Sequence, residues 1–215
     1  MDRYVKAAIW TAAVLAVAAA VGWFFFDPDV VMDQSMAPTM WAGDRILVLK
    51  RGRVDRGDVV VCDHPEFPGQ TIMGRVVGLP GDAIEIFRGQ LSLNGNVVYE
   101  ESEGPFLYMD RTSSTEAFEF RLRLKTHIFG GTFAYLLYDE KAGLSDVPKT
   151  VVESGYYLLA DNRAGGLDSR AYGEVHESLC RGRAFFIYKA VKGLGDADNR
   201  RRTFTFVNYP IHTGE

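Results

Sequence analysis

The stretch Thr71-Ile72-Met73-Gly74-Arg75-Val76-Val77-Gly78-Leu79-Pro80-Gly81-Asp82 decides how this chain is read. Ile72 to Leu79 is apolar and β-branched, and Pro80-Gly81-Asp82 stops it, so a strand closed by a tight turn is expected. The pattern repeats on both sides. Upstream, Arg45 to Lys50 and Asp58 to Cys62 are short β-branched runs, each introduced by a Gly-Asp pair. Downstream come Ala83 to Phe87, Gln90 to Leu93 ending at Asn94-Gly95, then Val97 to Tyr99 and Phe118 to Leu124. Thr132 to Tyr138, Tyr156 to Ala160 and Arg183 to Tyr188 complete the series. About ten strands with almost no amphipathic helix predict a mostly β barrel or sandwich over residues 27–215. Residues 100–150 are more polar and Gly-interrupted, and are expected to form an inserted lobe or flap.

Ahead of this region residues 7–26, AAIWTAAVLAVAAAVGWFFF, carry no charge. As a helix they would span roughly 30 Å, the thickness of a bilayer's hydrocarbon core. Arg3 and Lys6 precede the run and Asp27 and Asp29 follow it. The positive-inside bias then puts residues 1–6 in the cytoplasm and the main domain outside, on the periplasmic face. A cleaved signal peptide has a shorter apolar core and a small-residue exit, whereas this run leaves through Trp23-Phe24-Phe25-Phe26. The expected state is a single-pass anchor.

The net charge of -4 leaves no basic excess to neutralise phosphates, so nucleic acid is not an expected partner. Cys62 and Cys180 resemble neither a metal-ligand cluster nor a redox pair, and are expected to be two separate buried thiols. No metal or other cofactor is expected. The basic run Asn199-Arg200-Arg201-Arg202 reads as a solvated turn.

Ser35 lies nine residues past the apolar run, in Gln34-Ser35-Met36-Ala37-Pro38-Thr39-Met40. By itself this is an ordinary Ser/Pro turn. Four segments taken in order say more: Ser35-Met36-Ala37-Pro38-Thr39; Arg56-Gly57-Asp58-Val59-Val60-Val61; Arg75 to Asp82; and Asp161-Asn162-Arg163 with Asp168-Ser169-Arg170. Together they resemble the bacterial type I signal peptidases. The resemblance implies a mostly β, signal-peptidase-like domain on the outer membrane face that cleaves signal peptides from exported preproteins. In that family a serine nucleophile works with a lysine base, and Ser35 holds the nucleophile's place. Met36, Pro38, Arg75, Asp161, Asn162, Arg163, Asp168, Ser169 and Arg170 are implied as support for the site.

The chain departs from the family pattern where activation is needed. The lysine's position, just before Arg75, is Gly74, and no lysine occurs between Lys50 and Lys125. The position of the serine that orients the lysine is Gly166. Some members use a serine hydroxyl two residues before the nucleophile to help bind the oxyanion; Asp33 stands there, and a carboxylate repels developing negative charge. A serine hydroxyl is a poor nucleophile without a base. His64 and Asp33 are the candidate replacements, with His127, His176 and His212 farther off in sequence, and the missing side chain of Gly74 leaves room for a water. Two functions therefore stand side by side: a membrane-anchored serine endopeptidase with an unfamiliar base, and an inactive relative that binds exported proteins as an assembly factor or chaperone. Both imply an extended peptide bound by strand addition at the membrane surface, with Met36 either lining the groove and touching lipid or packed in the core, the core reading carrying at least equal weight. If only the base is gone, Gly74→Lys, alone or with Gly166→Ser, is expected to restore cleavage.

Overall fold

The computed structural model describes residues 3–110, 118–129, 132–138, 146–191 and 203–208. Helix α1 (Arg3–Phe25) is followed without a break by strand β1 (Phe26–Val30). Then come β2 (Arg45–Leu49), β3 (Val59–Asp63), β4 (Thr71–Gly78), β5 (Ala83–Phe87), β6 (Gln90–Leu93) and β7 (Asn96–Val97). β8 (Glu100–Asp110), β9 (Phe118–Phe129) and β10 (Thr132–Tyr138) precede β11 (Val147–Val151) and β12 (Gly155–Leu159). A four-residue helix α2 (Ser169–Tyr172), β13 (Val175–His176), β14 (Cys180–Lys189) and β15 (Thr205–Phe206) finish the order.

The main sheet runs β1-β2-β14-β3-β4-β12-β13, with β15 also paired to β14. A second sheet has the order β11-β5-β6-β7, and β10-β9-β8 form a third. Every recorded pairing is antiparallel. The mostly β expectation is met, with one N-terminal helix long and apolar enough to cross a membrane. Phe26, placed in the apolar run by sequence, is instead the first residue of β1, where it pairs with Leu49.

Three turns built alike launch three of these strands. In each, a glycine holds positive φ: Gly43 at 90°, Gly57 at 92° and Gly81 at 90°. The next residue is an aspartate whose carboxylate accepts the amide three positions back: Asp44 from Trp41, Asp58 from Asp55 and Asp82 from Leu79, at 2.8–2.9 Å. A side chain would be strained at that φ, and an uncapped amide would be left behind. This is why Gly-Asp punctuates the sequence.

β3 is buried on both faces, which explains its unbroken apolar run. Val59 and Val61 join Met36, Met40, Ile46 and Val48 in one core cluster, while Val60 and Cys62 join Val76, Leu158 and Val175 in another. A third cluster, with Val77, Ile84, Leu91 and Leu159, lies between the main sheet and the second sheet.

The cysteines are not separate thiols. Cys62 on β3 faces Cys180 on β14 in the ladder, and the two form a disulfide with S–S 2.09 Å. Their separation of 118 positions hid a pairing that strand register creates. The stretch 199–202 and His212 lie outside the described residues.

Candidate functional site

The Ser35 turn is fixed from beneath. Met36 and Met40 are buried in the core, so of the two places open to Met36, a peptide groove at the membrane or the core, it takes the core. Pro38 is buried after a cis Ala37-Pro38 bond. Asn162 crosses to the same turn: its amide donates to the Ser35 carbonyl at 2.8 Å, and its Nδ2 to the Gln34 carbonyl at 3.3 Å. Thr39 Oγ1 donates to Asp161 Oδ2 at 2.5 Å.

Asp161 in turn holds Arg75. Nε donates to Oδ1 at 2.7 Å and Nη2 to Oδ2 at 2.6 Å, with both side chains 0% exposed. The Gly57 carbonyl at 2.5 Å and Asn208 Oδ1 at 2.9 Å accept from Nη1. A buried guanidinium is tolerated only when its donors are met this fully. Arg163 differs: it is 5% exposed, and its Nε and Nη2 have no partner among the described residues.

Asp168 and Ser169 do the work of a missing strand. Beyond its short pairing with β13, the outer edge of β12 has bare amides. Ser169 Oγ accepts from Leu158 N and Asp168 Oδ2 from Ala160 N, each at 2.9 Å. Asp168 also caps α2 through the Arg170 amide and binds the Arg170 guanidinium at 2.7 and 2.9 Å. The Asp-Ser-Arg motif thus closes a sheet edge and holds the loop carrying Gly166.

Both glycines at the altered positions lie on one face with Ser35. A Cβ at Gly166 would stand 3.5 Å from Ser35 Cα, but also 2.3 Å from Ala160 Cβ and 2.9 Å from the Asn162 carbonyl oxygen. A Cβ at Gly74 would stand 2.8 Å from Leu158 Cβ and 3.4 Å from Leu158 Cδ1. Leu158, on β12, and Ala160, the residue just past its end, are two positions apart and share a face. The order across it is therefore Ser35, Gly166, Ala160, Leu158, Gly74. The room expected in front of Gly74 is filled by the buried Leu158 side chain, so no water pocket replaces the base. Gly166→Ser meets backbone and Gly74→Lys meets Leu158, so neither restoration is the simple addition that the sequence suggested.

Asp33 turns back onto the Ser35 backbone. Its Oδ1 accepts the Ser35 amide at 2.8 Å. A nucleophile's own N–H is a standard donor to the tetrahedral oxyanion, and here a carboxylate occupies it. Among the described residues no side chain hydrogen-bonds to the Ser35 hydroxyl. His64 makes no hydrogen bond to it. Its Nδ1 accepts the amides of Glu66 and Phe67 at 3.1 and 3.2 Å, and its ring packs on Phe67 and Tyr172. His176 caps a turn through Ser178, and His127 lies on β9. Sequence reasoning missed Leu158, Ala160 and Asn208. The first two look like any strand residues, and nothing local marks Asn208 as a partner of Arg75.

Comparison with known proteins gives the following. A family model described as signal peptidase, peptidase S26, matches residues 3–189. The chain is 32% identical over 170 residues to a signal peptidase I of Bacillus licheniformis, covering 77% of each chain. It is 30% identical over 188 residues to a signal peptidase I of Streptococcus pneumoniae, covering 80% of this chain and 86% of that one. A crystal structure of a signal peptidase I from Enterococcus faecalis aligns with a TM-score of 0.37 at 23% identity, over 61% of this chain and 97% of that one.

Proposed function

Since this chain belongs to the signal peptidase family, peptidase S26, we propose that it is a membrane-anchored member that holds the signal peptides of exported preproteins without cleaving them. The observation that carries this reading is Leu158, packed where a base side chain from position 74 would run. The Asp33 carboxylate on the Ser35 amide supports it independently. Loss of one member of a coupled nucleophile/base unit costs about 10⁴ to 10⁶ in rate. What persists is a rigid turn presenting Ser35 and, beside it in sequence, the edge strand β1, which has one neighbour among the described strands. An extended peptide adds to such an edge by main-chain hydrogen bonds.

The orientation we propose puts the β domain outside the cytoplasm. Arg3 and Lys6 flank the inner end of α1, Asp27 and Asp29 the outer. The disulfide fits an oxidising compartment.

The test is a preprotein incubated with the full-length chain in proteoliposomes, read for cleavage and for crosslinking to the signal peptide. Crosslinking without cleavage, unchanged in Ser35→Ala, is expected. Gly74→Lys alone should stay inactive because its Cβ would stand 2.8 Å from the Leu158 Cβ; Leu158→Gly beside it removes that contact, which Leu158→Ala would leave in place. Cleavage by the native chain that Ser35→Ala abolishes would instead establish a serine endopeptidase with an unfamiliar base. Absence of any crosslink would remove the binding reading as well.

A further inference from the structure

A guanidinium offers a carboxylate a fork of two parallel donors. Three arginines among the described residues use the edge formed by Nε and Nη2 in this way. Arg75 gives that pair to the two oxygens of Asp161 at 2.7 and 2.6 Å. Arg170 gives it to Asp168 at 2.7 and 2.9 Å, and Arg56 to Asp82 at 2.7 and 2.5 Å. Arg163 holds the same edge empty. Its Nε and Nη2 are both buried, and neither has a partner among the described residues. A buried charge left unanswered is costly, which points to an acceptor brought by a ligand.

The place of Arg163 in the fold narrows the ligand. It follows Asn162, whose amide donates to the Ser35 carbonyl at 2.8 Å and whose Nδ2 donates to the Gln34 carbonyl at 3.3 Å. The Arg163 carbonyl is fixed in turn by Arg170 Nη2 at 3.2 Å. A Cβ on Gly166 of the same loop would stand 3.5 Å from Ser35 Cα. The unmet edge is thus carried by a loop clamped to the Ser35 turn. Ala164, Gly165 and Leu167 of that loop are exposed, so a ligand reaches it past short or apolar residues. The carboxylates nearby are already engaged: Asp161 and Asp168 hold their arginines, and Asp33 Oδ1 accepts the Ser35 amide. Burial pushes the Tyr157 phenol up to about 12, Asp168 adds to this, and Arg170 and Arg163 oppose it, so the guanidinium is within electrostatic reach of that ring. Tyr157 acts in the same way on Tyr172, whose buried hydroxyl is a further donor without a partner among the described residues.

We propose that Arg163 is a carboxylate-binding residue beside Ser35, and that its occupant is the free C-terminal carboxylate of a peptide. The choice of occupant rests on the reading that the chain holds signal peptides; the carboxylate chemistry does not. A planar carboxylate fills Nε and Nη2 together, as Asp161 and Asp168 do on Arg75 and Arg170, whereas a peptide amide offers a single neutral oxygen. A signal peptide carries such a carboxylate only after a peptidase has added water across its bond to the exported protein. The chain therefore acts after that hydrolysis, and favours the released peptide over the intact preprotein.

The experiment follows the anisotropy of a fluorescein-labelled octapeptide of leucine and alanine against the full-length chain in phosphatidylcholine nanodiscs. The peptide is used as the free acid, as its C-terminal amide, and as an amide whose last residue is aspartate. The acid should bind at least about tenfold tighter than the plain amide, as a hydrogen-bonded charge does, and Arg163→Met should remove the preference. In the native chain the acid, and not the plain amide, should also raise the melting temperature, a readout that does not depend on the variant folding. Equal binding of acid and plain amide would overturn the carboxylate site and leave the peptide-holding reading intact. A preference that survives Arg163→Met would overturn the assignment to Arg163. Aspartate amide bound as tightly as the acid would overturn the terminal occupant in favour of an acidic side chain. Binding of none of the three, while a preprotein still crosslinks, would overturn the proposal and not that reading. Acid bound without any preprotein crosslink would overturn that reading and not the site.

Discussion

At the scale of single residues, the site pairs buried Arg75 with Asp161 and Asp168 with Arg170, while buried Arg163 keeps Nε and Nη2 without a partner among the described residues. Removing one partner of a buried pair leaves the other uncompensated, which costs about 3–5 kcal/mol. Asp161→Ala strands the Arg75 guanidinium, and it also removes the acceptor of Thr39. A thermal melt should therefore fall by roughly 6–20 °C, at about 2–4 °C per kcal/mol for a chain of this size. The type of each residue was legible in the sequence, since Arg75 and Asp161 stand in the segments that carry the family resemblance. Their fork across 86 positions was not. Leu158 was still less legible, because a leucine in a strand says nothing about which glycine it will cover.

At the scale of elements, the Gly-Asp turns were readable because their chemistry is local. Asn94-Gly95 belongs with them: φ is 53° and 80°, and Leu93 pairs with Asn96 across the turn. The turn at Asp82 is the one with a titration signature. Burial by itself would raise that carboxyl, but hydrogen bonds from Arg56, the Leu79 amide and Asn94 outweigh it and hold the group below its ordinary value of 3.8. A carboxylate depressed in the folded state contributes stability above the unfolded pKa and loses it as pH falls through the folded one. Native protein and Asp82→Asn should thus differ most in melting temperature above about pH 4, and converge below it. A constant gap down to pH 2 would contradict this. Elements shaped by distant partners were missed. β1, Phe26-Asp27-Pro28-Asp29-Val30, has a proline and two acids and does not look like a strand. It is an edge strand, where proline and charge are tolerated.

At the scale of the molecule, the disulfide closes a loop of 118 positions that takes in β4 to β13, which is most of the domain's strands. Native disulfides in such loops are worth about 2–5 kcal/mol. Cys62→Ala/Cys180→Ala, melted beside the native protein with and without dithiothreitol, should be less stable by that amount and insensitive to the reductant. Equal stability would mean the bridge does not hold the sheet. The sequence by itself determined the apolar helix, the turn positions, the mostly β class and the family, because all of these depend on short-range periodicity, glycine φ and motif order. Only the tertiary structure decided the cysteine pairing, the burial of Met36, the closure of the β12 edge by Asp168 and Ser169, and the filling of the space before Gly74 by Leu158. Those are products of strand register, which brings together residues that nothing in their own neighbourhood marks as partners.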